Sequence, residues 1–154
     1  MPGKIETIHI AAHMGEPVIA VDSVEAIAGQ GLAHDRIIND LIAQGKDVEP
    51  KRQVTLIEAE VIEVLRRDCG IEFSAAETRR NLCTRGVALN HLVDREFTIG
   101  DARLRGIELC EPCGVLERMS GKSGVVKGLI HRGGLYAEIL EGGTIRVGDA
   151  VVID

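Results

Sequence analysis

The 154-residue chain carries 24 acidic against 18 basic residues, a formal net charge of -6, and 45% hydrophobic residues, yet only two Phe, one Tyr and no Trp. That balance excludes bulk attraction to nucleic acid or to an anionic membrane surface, and it leaves no aromatic platform for stacking single-stranded bases. A local basic cleft for a small anion remains compatible with it. A core of Val, Ile, Leu and Ala suits a chain of this size without metal or disulfide staples, so one domain over residues 1–154 is expected.

The first residues, MPGKIETIHIAA, hold no long apolar run ahead of a cleavage-like site, and no hydrophobic stretch approaches a membrane span. The cytoplasm is the expected location. Four cysteines, Cys69, Cys83, Cys110 and Cys113, are too few for a secreted disulfide framework and read as free thiols.

In chain order, KIETIHI at 4–10 alternates polar and apolar residues and predicts a half-buried strand. A second short strand, PVIAVDSVEA, follows the turn at 15–17. AGQGLAHDR at 28–36 is a glycine-punctuated turn that delivers His34, Asp35 and Arg36. Residues 38–51 read as a loose loop closed by Pro50. QVTLI ends a strand, and Thr55 with Glu58 fits a capping box for a helix. That helix, EAEVIEVLRRD, places Ile57, Val61, Ile62, Val64 and Leu65 at helical spacing, with acids near its start and arginines near its end; Gly70 stops it.

Beyond it, residues 77–92 predict a charged loop, a short strand and a helical turn at 88–92. EFTIG and ARLRGIEL flank Gly100-Asp101, a hairpin signal. Pro112 suits the first position of a helix over PCGVLERM. Residues 125–140 read as a loop passing into a strand, and two short strands around Gly148-Asp149 close the chain. Many short strands with one solid helix predict a closed or curled, mostly β fold rather than a parallel α/β sheet.

The stretch LCEPCGVLERM raises the chemical question. With Pro112 opening a helix, Cys113 would sit in its first turn, where free N–H groups favour a thiolate, the form that attacks a persulfide or binds a soft metal. The alternative is that both cysteines pack as small hydrophobes at a strand end. A structural zinc would need two more ligands than Cys110 and Cys113, and Cys83, His91 and His131 are scattered. The CxxC spacing lacks the βαβ surroundings of a thioredoxin-like site. GKSG at 121–124 echoes a phosphate-binding loop, but Leu116 stands where that motif needs glycine. Arg36, Arg79, Arg80, Lys127 and Arg132 all sit in glycine-rich or polar segments, and guanidinium forks match oxyanions.

The ordered set GLAHDR (31–36), QVTLIEAE (53–60), RRNLCTRG (79–86), FTIGDARLRG (97–106), LCEPC (109–113), VVKGLIHRGGLYAEIL (125–140) and GGTIRVGD (142–149) resembles a MOSC domain. This is the module named after the C-terminal part of molybdenum-cofactor sulfurases, also found as stand-alone bacterial proteins. The resemblance implies a mostly β fold with short helices, built on a small barrel of the pyruvate-kinase β-barrel type. It implies binding of molybdenum cofactor (a Mo-pterin) or sulfur carriage in its metabolism. A component of a molybdenum-dependent reductase of N-hydroxylated compounds and a non-catalytic molybdate- or cofactor-binding module are the alternatives.

The family's sulfur-carrying or molybdenum-ligating cysteine matches Cys113, with Cys110 as auxiliary. Arg36, Arg80, Asn81, Lys127, Arg132 and Gly133 match as cofactor-binding positions, and Asp35 and His131 are auxiliary candidates. His34 stands where the family's turn usually has glycine. The partners implied are a small anionic cofactor or substrate and a sulfur donor or electron-transfer protein, with neither nucleic acid nor membrane.

Overall fold

The computed structural model describes residues 2–154. Its strands are β1 (Gly3–Ile10), β2 (Ile19–Val21), β3 (Ser23–Ile27), β4 (Gly31–Leu32), β5 (Val54–Glu58), β6 (Leu82–Arg85), β7 (Glu96–Ile99), β8 (Ala102–Leu109), β9 (Leu135–Glu141), β10 (Gly143–Arg146) and β11 (Ala150–Ile153). The α-helices are α1 (Arg36–Asp40), α2 (Ala59–Cys69), α3 (Gly114–Ser120) and α4 (Val125–Leu129).

Seven strands run in the order β11-β7-β8-β9-β5-β6-β1, and β11 pairs back onto β1 through Gly3 with Val151 and Lys4 with Ala150, closing a barrel. Closure leaves no open edge within the ring. β2 extends it beside β1, and β10-β3-β4 form a separate three-stranded sheet. Every pair in the ring is antiparallel except β5 with β6, which are parallel. A parallel neighbour needs a crossover rather than a hairpin, and α2 supplies it. The mostly β barrel with short helices expected from the sequence is the fold observed.

The barrel is filled by inward residues of the alternating runs: Ile5, Ile8, Leu56, Leu82, Phe97, Ile99, Leu104 and Leu135, all essentially without solvent exposure. At roughly 25 cal/mol per Å² of apolar surface buried, each such side chain stabilises the fold by about 1.5–3 kcal/mol. A second, smaller cluster of Leu65, Phe73, Leu116, Val125 and Leu129 joins α2, α3 and α4 outside the barrel. Leu116 is the anchor of α3, and so it also fixes the end of that helix where the sulfur chemistry was expected.

Local details depart from the sequence reading in four places. The 17–26 run splits at Asp22 into β2 and β3. The 38–51 segment begins with the end of α1 and carries short 3-10 turns at Ile42–Gln44 and Pro50–Arg52. The capping box does not form: β5 continues to Glu58, which becomes the N-cap residue without a side-chain bond, and the Thr55 hydroxyl turns to Asn81. Residues 125–129 form a helix rather than a loop, because Val125 and Leu129 bury four apart against Leu65. Gly70, by contrast, ends α2 in the left-handed conformation at φ 66°, its N–H donating to the carbonyls of Arg66 and Leu65 in the last turns, as expected.

Candidate functional site

The site begins with a buried carboxylate. Asp35 has no solvent exposure and accepts from the Ala11 N–H at 3.0 Å, from Asn81 Nδ2 at 3.3 Å and from Arg36 Nη1 at 3.3 Å. Arg36 also donates from Nη2 to the Arg79 carbonyl at 2.9 Å. A guanidinium held on both arms is oriented rather than free to sweep solvent. The turn that presents it puts His34 at φ 67°, a left-handed conformation, so histidine adopts here the geometry that glycine gives without strain.

Asn81 is a fastener. Its Oδ1 accepts from the Thr55 N–H and hydroxyl, both at 3.1 Å, while Nδ2 donates to the His9 carbonyl at 3.1 Å and to Asp35. All its hydrogen-bonding capacity toward protein is therefore spent in joining β1, β5 and the Asp35 turn. Arg80 fastens a different pair of segments. Its Nε donates to the Gly133 carbonyl at 2.9 Å, and Nη2 and Nη1 reach the carbonyls of Cys110 and Thr78, each at 3.3 Å. Gly133 lies so close to the cysteine segment that a Cβ there would stand 2.4 Å from the Cys110 carbonyl oxygen and 3.0 Å from Pro112 Cδ. The family-matched Gly133 is thus a close-approach position.

These fasteners enclose a cavity of about 410 Å³, within the ordinary small-ligand range of roughly 300–1,000 Å³. Arg36, Lys51, Arg52, Arg79 and Arg80 line it on the cationic side, and Cys110, Cys113 and Tyr136 contribute its sulfur and phenol groups. Met14, Ile37, Val115 and Leu116 make the apolar wall. Lys51 lies 3.4 Å from Glu108, and Arg36 has Asp35. Among the described residues, Arg52, Arg79 and Arg80 have no carboxylate within ion-pair distance. Burial, and then the nearby Arg36 charge, pulls the Arg79 guanidinium below its ordinary value, partly opposed by Asp35. Cations crowded together with so little compensation form a field suited to an anion bearing more than one charge.

The two cysteines differ sharply. Cys113 is exposed, whereas Cys110 is 2% exposed. Burial pushes the Cys110 thiol up, with Arg80 and a hydrogen bond to Tyr136 acting in the other direction. Tyr136 is itself pushed up to about 12, by burial first and then by Cys110. The helix beside them starts later than the sequence suggested. Cys113 is the N-cap of α3 in extended conformation, and the helix spans only the seven residues Gly114–Ser120. Pro112 therefore lies outside it, and Cys113 stands ahead of the first turn rather than within it.

Lys127, Arg132 and His131 are not among the residues lining this cavity. Arg132, just past α4, turns back onto it, donating from Nε to the Gly128 carbonyl at 2.7 Å. His131 is exposed, with Nδ1 at 2.9 Å from Glu111 Oε2 and its backbone N–H on the other carboxylate oxygen at 2.7 Å. Lys127 lies on α4, exposed. Conversely, Lys51, Arg52 and Tyr136 line the cavity without having been singled out by sequence. A signal was present for all three: Lys51-Arg52 stand immediately before the QVTLI strand, and Tyr136 is the chain's sole tyrosine.

Among the described residues no group of three or more His, Cys, Asp or Glu side chains converges as a cage for a metal ion. The donor set instead fits a ligand that brings its own coordination: one exposed sulfur, several guanidiniums for phosphate, and an aliphatic wall for a flat ring. No helix among the described residues is long and apolar enough to cross a membrane.

Against known proteins, the MOSC domain model matches residues 39–152. The YuaD protein from Bacillus subtilis has a similar structure, with TM-score 0.81 and 16% identity over 99% of this chain and 96% of that one. YiiM from Geobacillus stearothermophilus gives 0.73 and 17% over 99% and 75%, and YiiM from Escherichia coli 0.71 and 17% over 100% and 70%. No curated protein matches by sequence.

Proposed function

The chain belongs to the MOSC domain family, tied to molybdenum-cofactor-related chemistry, and on that premise we propose that its cavity binds a phosphate-bearing molybdenum-pterin cofactor while Cys113 carries sulfur to or from it. The observation that supports this most directly is the exposed Cys113 thiol sharing one cavity with Arg52, Arg79 and Arg80, none of which has a carboxylate within ion-pair distance.

When bound, the cofactor supplies a phosphate for the guanidiniums and a metal centre competent to exchange sulfur. The protein's own residues orient and protect that exchange. Arg36, aimed by Asp35 and by the Arg79 carbonyl, and Arg79, held through Nη1 on the Glu16 carbonyl at 2.8 Å, receive the anion as preset forks. Because their geometry is fixed beforehand, little side-chain freedom is lost on binding. Arg80 holds the cysteine segment against Gly133 instead of contacting the anion with its full fork. Met14, Val115 and Leu116 limit water on the opposite side. Cys113, exposed at the cavity, attacks a persulfide donor at its outer sulfur through its thiolate form. A new S–S bond then forms on Cys113, and the donor leaves as its thiolate.

Incubation with a cysteine desulfurase and cysteine, followed by differential alkylation and peptide mass spectrometry, tests the carrier role. The expected product is a persulfide on Cys113, absent from Cys113→Ala. A protein that stays unmodified at Cys113, or that loads Cys69 equally, contradicts it. Direct ligation of the metal by Cys113 is the rival role for the same sulfur. It predicts that the thiol is alkylated freely in the empty protein and fully shielded once cofactor is bound, with no persulfide formed.

A further inference from the structure

The cavity holds a second sulfur to which the proposed function gives no task. Cys110 follows the last residue of β8, and its N–H donates to the Gly134 carbonyl at 2.8 Å. Its side chain lines the same cavity as that of Cys113, three residues further along the chain. Tyr136 lines the cavity alongside it, and Arg80 Nη2 donates to the Cys110 carbonyl at 3.3 Å. Both cysteines are free, one at the mouth and one beneath it. Residues 110–113 belong to neither helix nor strand, so the backbone between the two sulfurs is not locked by a hydrogen-bond ladder.

An exposed sulfur that is loaded first, with a sheltered sulfur three residues away, is the arrangement of a two-thiol relay. We propose that Cys110 is the resolving thiol of the site, discharging the sulfur carried on Cys113. The inference rests on the reading of Cys113 as sulfur carrier and assigns that site a second reacting group.

The step balances as follows. The Cys110 thiol gives up its proton and its sulfur attacks Sγ of the Cys113 persulfide. The Cys110–Cys113 disulfide forms, the bond from Cys113 Sγ to the outer sulfur breaks, and that sulfur leaves with the proton as hydrosulfide. An external dithiol then reduces the disulfide by two electrons, itself becoming a disulfide, and returns both cysteines to thiols. Bridging requires the two Cα atoms to stand within about 4.4–6.8 Å.

The test loads the full-length protein anaerobically with inorganic polysulfide, removes excess reagent, and follows released sulfide and the 110–113 peptide mass over time. Wild type should release one sulfide per loaded chain as the internal disulfide appears. Cys110→Ser, which keeps the size of the side chain, should load Cys113 normally but hold its persulfide at least about tenfold longer. Formation of the disulfide in the unmutated protein is the readout that does not depend on the variant folding. Equal persulfide lifetimes, with no internal disulfide in wild type, would overturn the resolving role while leaving Cys113 as a carrier. Failure of wild-type Cys113 to load at all would overturn the carrier reading and this inference with it.

Discussion

Asn81 Nδ2 donates to Asp35 Oδ2 at 3.3 Å, and the two residues are 2% and 0% exposed. This buried amide–carboxylate pair is what connects barrel strand β5, through Thr55, to the turn that aims Arg36 into the cavity. Asn81→Leu keeps the volume but leaves the Asp35 carboxylate, the His9 carbonyl and the Thr55 N–H short of a partner. It should cost about 2–4 kcal/mol, measured as the loss in denaturant unfolding free energy. Asp35→Ala should cost about 3–5 kcal/mol, because it strands a largely buried guanidinium.

Lys127 and Arg132 separate from Arg79 and Arg52 in the same way that sequence and structure separate. If the cavity is the anion site, Arg79→Gln and Arg52→Gln should each weaken binding of a phosphate-bearing pterin by about tenfold, roughly 1.4 kcal/mol, and flatten its salt dependence. Lys127→Gln and Arg132→Gln, which change residues outside the cavity lining, should shift affinity less than about threefold. Isothermal titration at two salt concentrations distinguishes the sets.

His34 occupies a left-handed backbone position that an L side chain adopts at a cost of about 1–2 kcal/mol. His34→Gly removes that cost but adds unfolded-state freedom of roughly 0.5–1 kcal/mol. A net stabilisation of about 0.5–1 kcal/mol is expected from thermal unfolding, with Cys113 alkylation unchanged. Gly133→Ala should do the opposite. Its Cβ would meet the Cys110 carbonyl at 2.4 Å, so the cysteine segment must shift. A loss of about 1–3 kcal/mol and altered Cys113 reactivity are expected.

The buried thiols give the fold an alkaline limit. Burial pushes Cys83 up to about 11 from an ordinary 9.0, and it pushes Cys110 up as well. A raised value means the native state keeps a proton that the unfolded chain releases. Stability is then fully present below the ordinary thiol value and falls as pH rises through the folded one. Unfolding free energy should therefore decline between about pH 9 and 11, and Cys83→Ala should show a shallower decline over that window. At neutral pH, a thiol reagent should modify Cys113 and Cys69, both exposed, well before Cys83 and Cys110.

The barrel was legible because its strands alternate and its turns carry glycine: Phe97, Ile99 and Leu104 sit inward as their spacing required. The turn at 31–36 and the cysteine segment were legible too, through the residues of their motifs. What the sequence concealed is three-dimensional exchange of partners. Thr55 looked like a helix cap but bonds Asn81, 26 residues away, because β5 extends past it. Lys127 and Arg132 belong to a motif that contributes Gly133 to the site, yet their own positions on and after α4 lie outside the cavity. Lys51, Arg52 and Tyr136 reach it only because β9 packs between β5 and β8. Motif membership brought segments to one cavity but could not say which side chain in a segment lines it.

The most direct measurement is anaerobic co-expression with molybdenum-cofactor biosynthesis, followed by metal and pterin analysis of the purified wild type, Cys113→Ala and Arg36→Gln/Arg79→Gln. Near-stoichiometric molybdenum and pterin in wild type, strongly reduced in the double arginine variant, is the result expected. In Cys113→Ala the pterin should be retained with its transferable sulfur lost. Wild type that purifies without pterin or molybdenum, or a double variant that retains both in full, would contradict the assignment of this cavity.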